Sequence, residues 1–205
     1  MVPISTDQVQ ALVVAMPERY RALVLLTVGS GMRQGGVFGL TVDRVNFLRR
    51  FVTVDRQLVG ISGRMPSFGP PKTPASVRVI PLPTVVVDAL AAHLAMFPTE
   101  GLIFTNEAGD VLRRSNFGTM WRRVTKSVGL DGLHFHDLRH YYASLLIRHG
   151  ESVKTVQARL GHANAAETLD TYSHLWPDSD DRTREAVDQV LASFLADSLR
   201  TEGLC

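Results

Sequence analysis

The sequence predicts an α+β fold, mainly α-helical, with a small antiparallel sheet and a hairpin inserted among the helices. Apolar residues recur at intervals of three and four over most of the second half of the chain, as on the buried face of a helix. Short runs that alternate apolar and polar, or are rich in β-branched residues, lie mainly between Phe51 and Pro81 and are interrupted by a Gly- and Pro-rich stretch. With 205 residues, 45% hydrophobic and 20% charged, the chain has the composition of one domain that buries a core, which excludes a disordered or fibrous protein.

Each element has a local reason. Ser5 and Gln8 stand at capping-box spacing, so a helix starts after Ser5 and runs on through Val9, Leu12 and Val13. Pro17 opens a second helix that continues to Val28 and is closed by Gly29 and Gly31. The stretch Gly31-Met32-Arg33-Gln34-Gly35-Gly36 breaks regularity before an apolar run to Leu40. Phe51–Val54 and Gln57–Ile61 read as strands, Ser62–Pro71 as a loop, and Val77–Pro81 as a further strand, which puts Lys72 on or beside a hairpin connection. Helices are expected over about 84–96, 115–128, 136–149, 152–160 and 183–200, with a short strand at Leu102–Phe104. In the tail, Ala186, Val187, Val190, Leu191, Phe194, Leu195 and Leu199 form one apolar stripe. No repeat or linker divides the chain, which reads as a single domain over 1–205.

Other classes are excluded more quickly. The apolar stretches near Ala22–Val28 and Val85–Ala92 fall far short of the ~20 residues that span a bilayer, and no secretory leader is visible at the N-terminus. The single cysteine, Cys205, permits neither an internal disulfide nor a cysteine-based metal cluster, and a reducing, cytoplasmic setting is expected.

The net charge of +2 conceals a pattern, because the 22 cations comprise 19 Arg and 3 Lys. Between Val111 and Leu130, Arg113, Arg114, Arg122, Arg123 and Lys126 occur without any acid, whereas Asp178, Asp180, Asp181, Glu185 and Asp188 crowd the C-terminal region. A basic face on a near-neutral protein fits a phosphate-lined partner; the plain alternative is a set of solvated helix faces. The densest polar cluster is His134-Phe135-His136-Asp137-Leu138-Arg139-His140. His136 and His140 have the spacing of a zinc-protease helix, but Asp137 replaces the usual Glu and no third ligand follows, so a metal is not expected. Leu160-Gly161-His162 and Thr171-Tyr172-Ser173-His174 follow downstream.

Taken in order, Gly31-Met32-Arg33, Lys72 before Val77–Leu82, His136-x-x-Arg139-His140, Leu160-Gly161-His162 and Thr171-Tyr172-Ser173-His174 closely resemble the motifs of the tyrosine recombinase, or phage integrase, catalytic domain. Each motif alone is weak, but five in order over nearly the whole chain are specific. The resemblance implies that family's fold and a site-specific recombinase that cleaves and rejoins DNA through a 3′-phosphotyrosyl intermediate. It implies Tyr172 as nucleophile, Arg33 and Arg139 as transition-state clamps, His162 as a further donor to the phosphate and Lys72 as general acid. His136 would take the tyrosine proton or organise its hydrogen bond, while His140 and His174 would be structural. The partner would be double-stranded DNA bearing attachment-type sites, contacted by Arg113, Arg114, Arg122, Arg123 and Lys126.

The resemblance further implies a homotetramer on DNA, a monomer in solution, possible accessory DNA-bending proteins, and no cofactor, metal or membrane. Two departures stand out: Gly36 occupies the position, three after Arg33, where the family usually has an acid, and the N-terminal DNA-clamping domain has no counterpart in the chain as read. The alternatives are a catalytically weak or inactive DNA-binding relative and a type IB topoisomerase-like nicking-closing enzyme.

Overall fold

The computed structural model describes residues 3–60, 66–71, 73–176 and 183–192. The chain divides into two compact units, Met1–Ser173 and His174–Cys205. In the first, helix α1 (Thr6–Ala15) begins with the expected capping box, Ser5 and Gln8 bonding reciprocally to each other's backbone. Helix α2 (Glu18–Ser30) is the centre of the core: Leu23, Val24 and Leu26 are fully buried, and Thr27 and Ser30 return their hydroxyls to the carbonyls of Leu23 and Leu26. It runs past Gly29, which packs against Val86 instead of ending the helix, and stops at Gly31.

A short helix α3 (Gln34–Phe38) leads into strands β1 (Val45–Asn46), β2 (Phe51–Val54), β3 (Gln57–Val59), β4 (Ser67–Gly69) and β5 (Arg78–Pro81). They form an antiparallel three-stranded sheet in the order β1-β2-β5, with Val52 opposite Val45 and Ile80, and a separate antiparallel pair of β3 and β4, with Leu58 opposite Phe68. Strand β4 lies inside the segment expected as loop. It is a pairing that local composition hides, because Pro66 and Pro70 flank only three paired residues. The strand expected at Leu102–Phe104 is reduced to an isolated bridge between Leu102 and Thr41, with Ile103 and Phe104 buried in the core.

Helices α4 (Thr84–Met96), α5 (Arg114–Ser127), α6 (Asp137–Arg148) and α7 (Val153–Leu160) follow close to expectation. An unexpected helix, α8 (Ala165–Tyr172), packs on α7 and carries Tyr172 as its last residue. An aromatic cluster of Tyr20, Phe38, Phe117, Trp121 and Phe135 joins α2, α3 and α5 to the segment before α6. Helix α6 packs against both α2 and α7, and Arg139 in its first turn reaches the stops of both. In the second unit, residues 183–192 are helical, as expected for the tail; Phe194, Leu195 and Leu199 of the expected stripe lie outside the described residues. Among the described residues, no helix is long and apolar enough to cross a membrane.

Candidate active site

Two left-handed glycines build the centre of the site. Helix α2 ends at Gly31 with φ 63°, and α7 ends at Gly161 with φ 66°, a conformation that costs an L side chain about 1 kcal/mol or more. Space opposes a side chain as well: a Cβ on Gly31 would stand 2.4 Å from the Tyr142 ring, and one on Gly161 would crowd Arg78 Nη1 at 2.9 Å and Ala75 O at 3.1 Å. Each abrupt stop leaves carbonyl oxygens without helical partners. Arg139 takes one from each helix, Nη1 donating to Gly31 O at 2.6 Å and Nη2 to Leu160 O at 2.7 Å.

Arg139 is 2% exposed, and the negative ends of two helix dipoles offset part of the cost of burying its charge. Burial and the neighbouring Arg33 and Arg78 cations still lower its pKa to about 9, so it remains charged at neutral pH. Two of its five N–H groups hold it to the scaffold, which leaves a fixed guanidinium with donors to spare.

Tyr172, the last residue of α8, is 3% exposed and lies within the electrostatic reach of this arginine. Burial pushes its phenol up to about 12, with Arg139 and Arg33 opposing that rise. Its Oη lies 2.7 Å from Nδ1 of His140, and burial lowers the pKa of that histidine; with the phenol donating, a neutral imidazole accepts its hydrogen bond. The sequence expectation gives the tyrosine proton, or the organising of its hydrogen bond, to His136 and reads His140 as structural; the histidine within hydrogen-bond reach of the Tyr172 hydroxyl is His140. His136 and His140 are one helical turn apart, and their rings meet edge to face at 4.8 Å; His140, the deeper of the two, is the one beside Tyr172. Burial first, and then the charges of His140, Arg139 and Arg33, lower His136 to about 4.

His162 follows Gly161 directly and is also buried. Its Nδ1 lies 2.8 Å from the hydroxyl of Thr168; with that hydroxyl donating, Nε2 carries the proton and serves as a donor. Burial, followed by Arg139, lowers it to about 4. Its ring lies parallel to that of Tyr172 with centroids 6.4 Å apart.

Arg33 enters at the N-terminal boundary of α3, Nη1 donating to Ser76 Oγ at 3.2 Å and Nη2 standing 3.9 Å from Glu167 Oε1. Ser76 belongs to the turn Pro74–Ser76 that leads into β5, and Arg78 of that strand bonds Arg159 O and Ser76 O, fastening the turn to the end of α7. The structure therefore brings Arg33, His136, Arg139, His162 and Tyr172 together, and adds His140, Thr168, Ser76 and Glu167. Lys72 lies outside the described residues.

The five basic residues expected to meet DNA are all exposed, and the arginines among them border different cavities. Arg114 lines a cavity of about 390 Å³ with Arg33, Gln34 and His136, and with Arg122 it borders a second, of about 460 Å³, that reaches His134 and His136. Arg113 and Arg123 instead line a cavity of about 510 Å³ beside Tyr20, Asn106, Glu107 and Asp110, and Lys126 stands in the last turn of α5. Among the described residues no three His, Cys, Asp or Glu side chains draw together as a metal site would require.

Residues 3–178 match the model of the phage integrase family. The chain is 29% identical over 181 residues to a "Tyrosine recombinase XerC-like" protein of Caldanaerobacter subterraneus subsp. tengcongensis, covering 78% of this chain and 46% of that protein. It is 30% identical over 177 residues to a putative prophage phiRv2 integrase of Mycobacterium tuberculosis, covering 84% and 47% respectively. It thus spans about half the length of these relatives. The fold matches that of the Tn1549 transposon integrase, solved in complex with transposon right end DNA, with a TM-score of 0.78 at 21% identity over 93% of this chain and 66% of that one. On its ordered motifs, its fold and the span of this match, the chain belongs to the phage integrase family, the tyrosine recombinases.

Proposed function

We propose that the chain is the catalytic domain of a site-specific DNA recombinase, and that Tyr172 is its nucleophile. The observation that carries this reading is the pairing of a buried, protonated tyrosine with a neutral histidine beside two arginines and a third imidazole. In the step, Tyr172 Oη bonds to the scissile phosphorus while the bond from phosphorus to the 5′ oxygen breaks, leaving a 3′-phosphotyrosyl ester. The phenolic proton passes to His140 Nδ1, and His136, packed edge to face on His140, steadies that ring. The non-bridging oxygens gain negative charge in the transition state. Arg139, fixed by its two carbonyls, and Arg33 meet that charge without reorganising, the largest contribution in such sites, and His162 Nε2–H donates to the same group.

Lys72 protonates the departing 5′ oxygen. The ester conserves the energy of the broken bond, so attack by a 5′-hydroxyl reverses the step and reseals a strand. The substrate is double-stranded DNA with attachment-type sites, as supported by family membership and by the DNA seen with the Tn1549 integrase. Arg114 and Arg122 contact backbone phosphates beside the site. The protein acts in the cytoplasm as a homotetramer on paired sites, for the integration and excision of a phage or mobile element.

A pool of nicked duplexes with randomised sequence around the nick tests this whatever the target sequence is. Wild-type protein is expected to retain a subset of the pool through denaturation with detergent, whereas Tyr172→Phe retains none while binding the selected duplex within a few-fold of wild type. Retention by Tyr172→Phe, or none by wild type, would overturn the proposal.

A further inference from the structure

Glu167 lies outside the motifs that mark the family, yet its carboxylate faces two of the groups assigned to the phosphate. Oε1 stands 3.9 Å from Arg33 Nη2 and 3.7 Å from His162 Nε2, while Oε2 accepts a hydrogen bond from the backbone of Ala163 at 3.2 Å. The residue is fixed from its own backbone too, since Glu167 N donates to Asn164 Oδ1 at the start of α8. One oxygen is thus spent on the chain, and the other is aimed between a guanidinium and an imidazole on two different elements.

Arg33 needs such a partner. Its side chain is one-third exposed, and among the described residues its Nη1 has the hydroxyl of Ser76 and its ion pair is with Glu167. Position 36, a turn further along, cannot supply the charge. A Cβ there would stand 3.4 Å from Met32 Cε and 3.9 Å from Val54 Cγ1, so a carboxylate at 36 would start among apolar groups.

We propose that Glu167 is a positioning residue of the cleavage reaction, its carboxylate holding Arg33 and the Nε2–H of His162 in the orientation that receives the scissile phosphate. The inference rests on the recombinase reading above. A plain helix cap would account for the Ala163 and Asn164 bonds but not for a carboxylate oxygen near both Arg33 and His162.

The test separates charge from capping. Gln caps a helix at this position as well as Glu does, and Gln8 performs that task at the start of α1 in this same chain. Glu167→Gln therefore keeps the cap and removes the charge. Rates of adduct formation are measured at saturating protein on a duplex captured by wild type, together with DNA affinity and thermal melting. Glu167→Gln is expected to slow adduct formation at least ~10-fold, as loss of an outer partner does at other preorganised sites, with affinity within threefold of wild type and an unchanged Tm.

Glu167→Asp, which keeps the charge on a shorter arm, should fall between the two. An NMR titration of the His162 ring supplies a second readout. His162 faces Arg139, Arg33, Arg78 and Glu167, so removing the one negative charge should shift its titration to lower pH. A Gln variant that cleaves like wild type, with only Glu167→Ala impaired, would reduce Glu167 to a cap. A faster Gln variant would make the carboxylate a competitor of the phosphate. Either result overturns the proposal, and an unshifted His162 titration would do the same. A wild type that forms no adduct would instead overturn the recombinase reading itself.

Discussion

Replacing Arg139 by Lys preserves charge and approximate length, and the structure predicts that it fails in a pH-dependent way. The guanidinium spans Gly31 O at 2.6 Å and Leu160 O at 2.7 Å with two different nitrogens. A single ammonium nitrogen cannot hold both carbonyls and also point a donor at a phosphate. One buried acceptor is then left unpaired, which costs roughly 1–3 kcal/mol. For a chain of this size that lowers Tm by roughly 2–12 °C.

The catalytic loss is larger. A preorganised donor at an oxyanion is worth ~10²-fold or more, so Arg139→Lys should cleave at least that much more slowly at pH 8. Its protonation also becomes an issue. Burial and the Arg33 and Arg78 cations bring the arginine down to about 9, and the same surroundings would act on an ammonium whose ordinary pKa is roughly two units lower. The same burial and cations push that ammonium in the same direction, so the variant is more fully charged as pH falls. Single-turnover cleavage by Arg139→Lys should rise between pH 8 and pH 6, over a range where wild type gains nothing from acidification. A variant with wild-type rate and melting temperature, or one whose rate falls with acid as steeply as wild type, would refute the reasoning.

Other expectations are equally specific. Lys72→Ala should be slow on natural DNA but largely restored on a substrate whose 5′-bridging oxygen is replaced by sulfur, because a thiolate departs without a proton; equal defects on both substrates would give Lys72 a binding role. Arg114→Ala and Arg122→Ala should each weaken DNA binding and reduce the slope of log affinity against log salt by about 1. Arg123→Ala, on the cavity beside Glu107 and Asp110, should leave that slope nearly unchanged. His162, buried, is lowered from 6.5 to about 4, so the unfolded chain binds its proton first as pH falls. Stability should be full above about pH 6.5 and decline toward pH 4, read as a falling Tm, and a flat profile would contradict the burial of this ring.

Local signals make much of the fold legible. The Ser5–Gln8 pair, the apolar periods of α4 to α7 and the alternation of β2 announce themselves within a few residues. What escapes is what distant partners decide. Strand β4 exists because Phe68 lies opposite Leu58, in a segment whose prolines argue for a loop. Helix α8 is eight residues long, with only Thr168 and Tyr172 buried, so its periodicity is too short to read and its packing on α7 supplies the stability.

The site shows the same division. Arg33, His136, Arg139, His162 and Tyr172 stand in motifs and are legible in the sequence. The choice between His136 and His140 as partner of Tyr172 is not, since linear spacing does not say which of two histidines one turn apart meets α8. Inward-facing Arg139 and Ala143 on the same helix are the available hint. Glu167 leaves no mark except its place three residues after the capping Asn164.

The most direct measurement is the chemical identity of the protein–DNA link. Wild-type protein captured on a nicked duplex is digested with protease and nuclease, and the nucleotide-bearing peptide is sequenced by mass spectrometry. A single modified peptide is expected, in which the Tyr172 oxygen carries a 3′-phosphate, and no such peptide from Tyr172→Phe. A link at any other residue, or a phosphate attached through a 5′ oxygen, would contradict it.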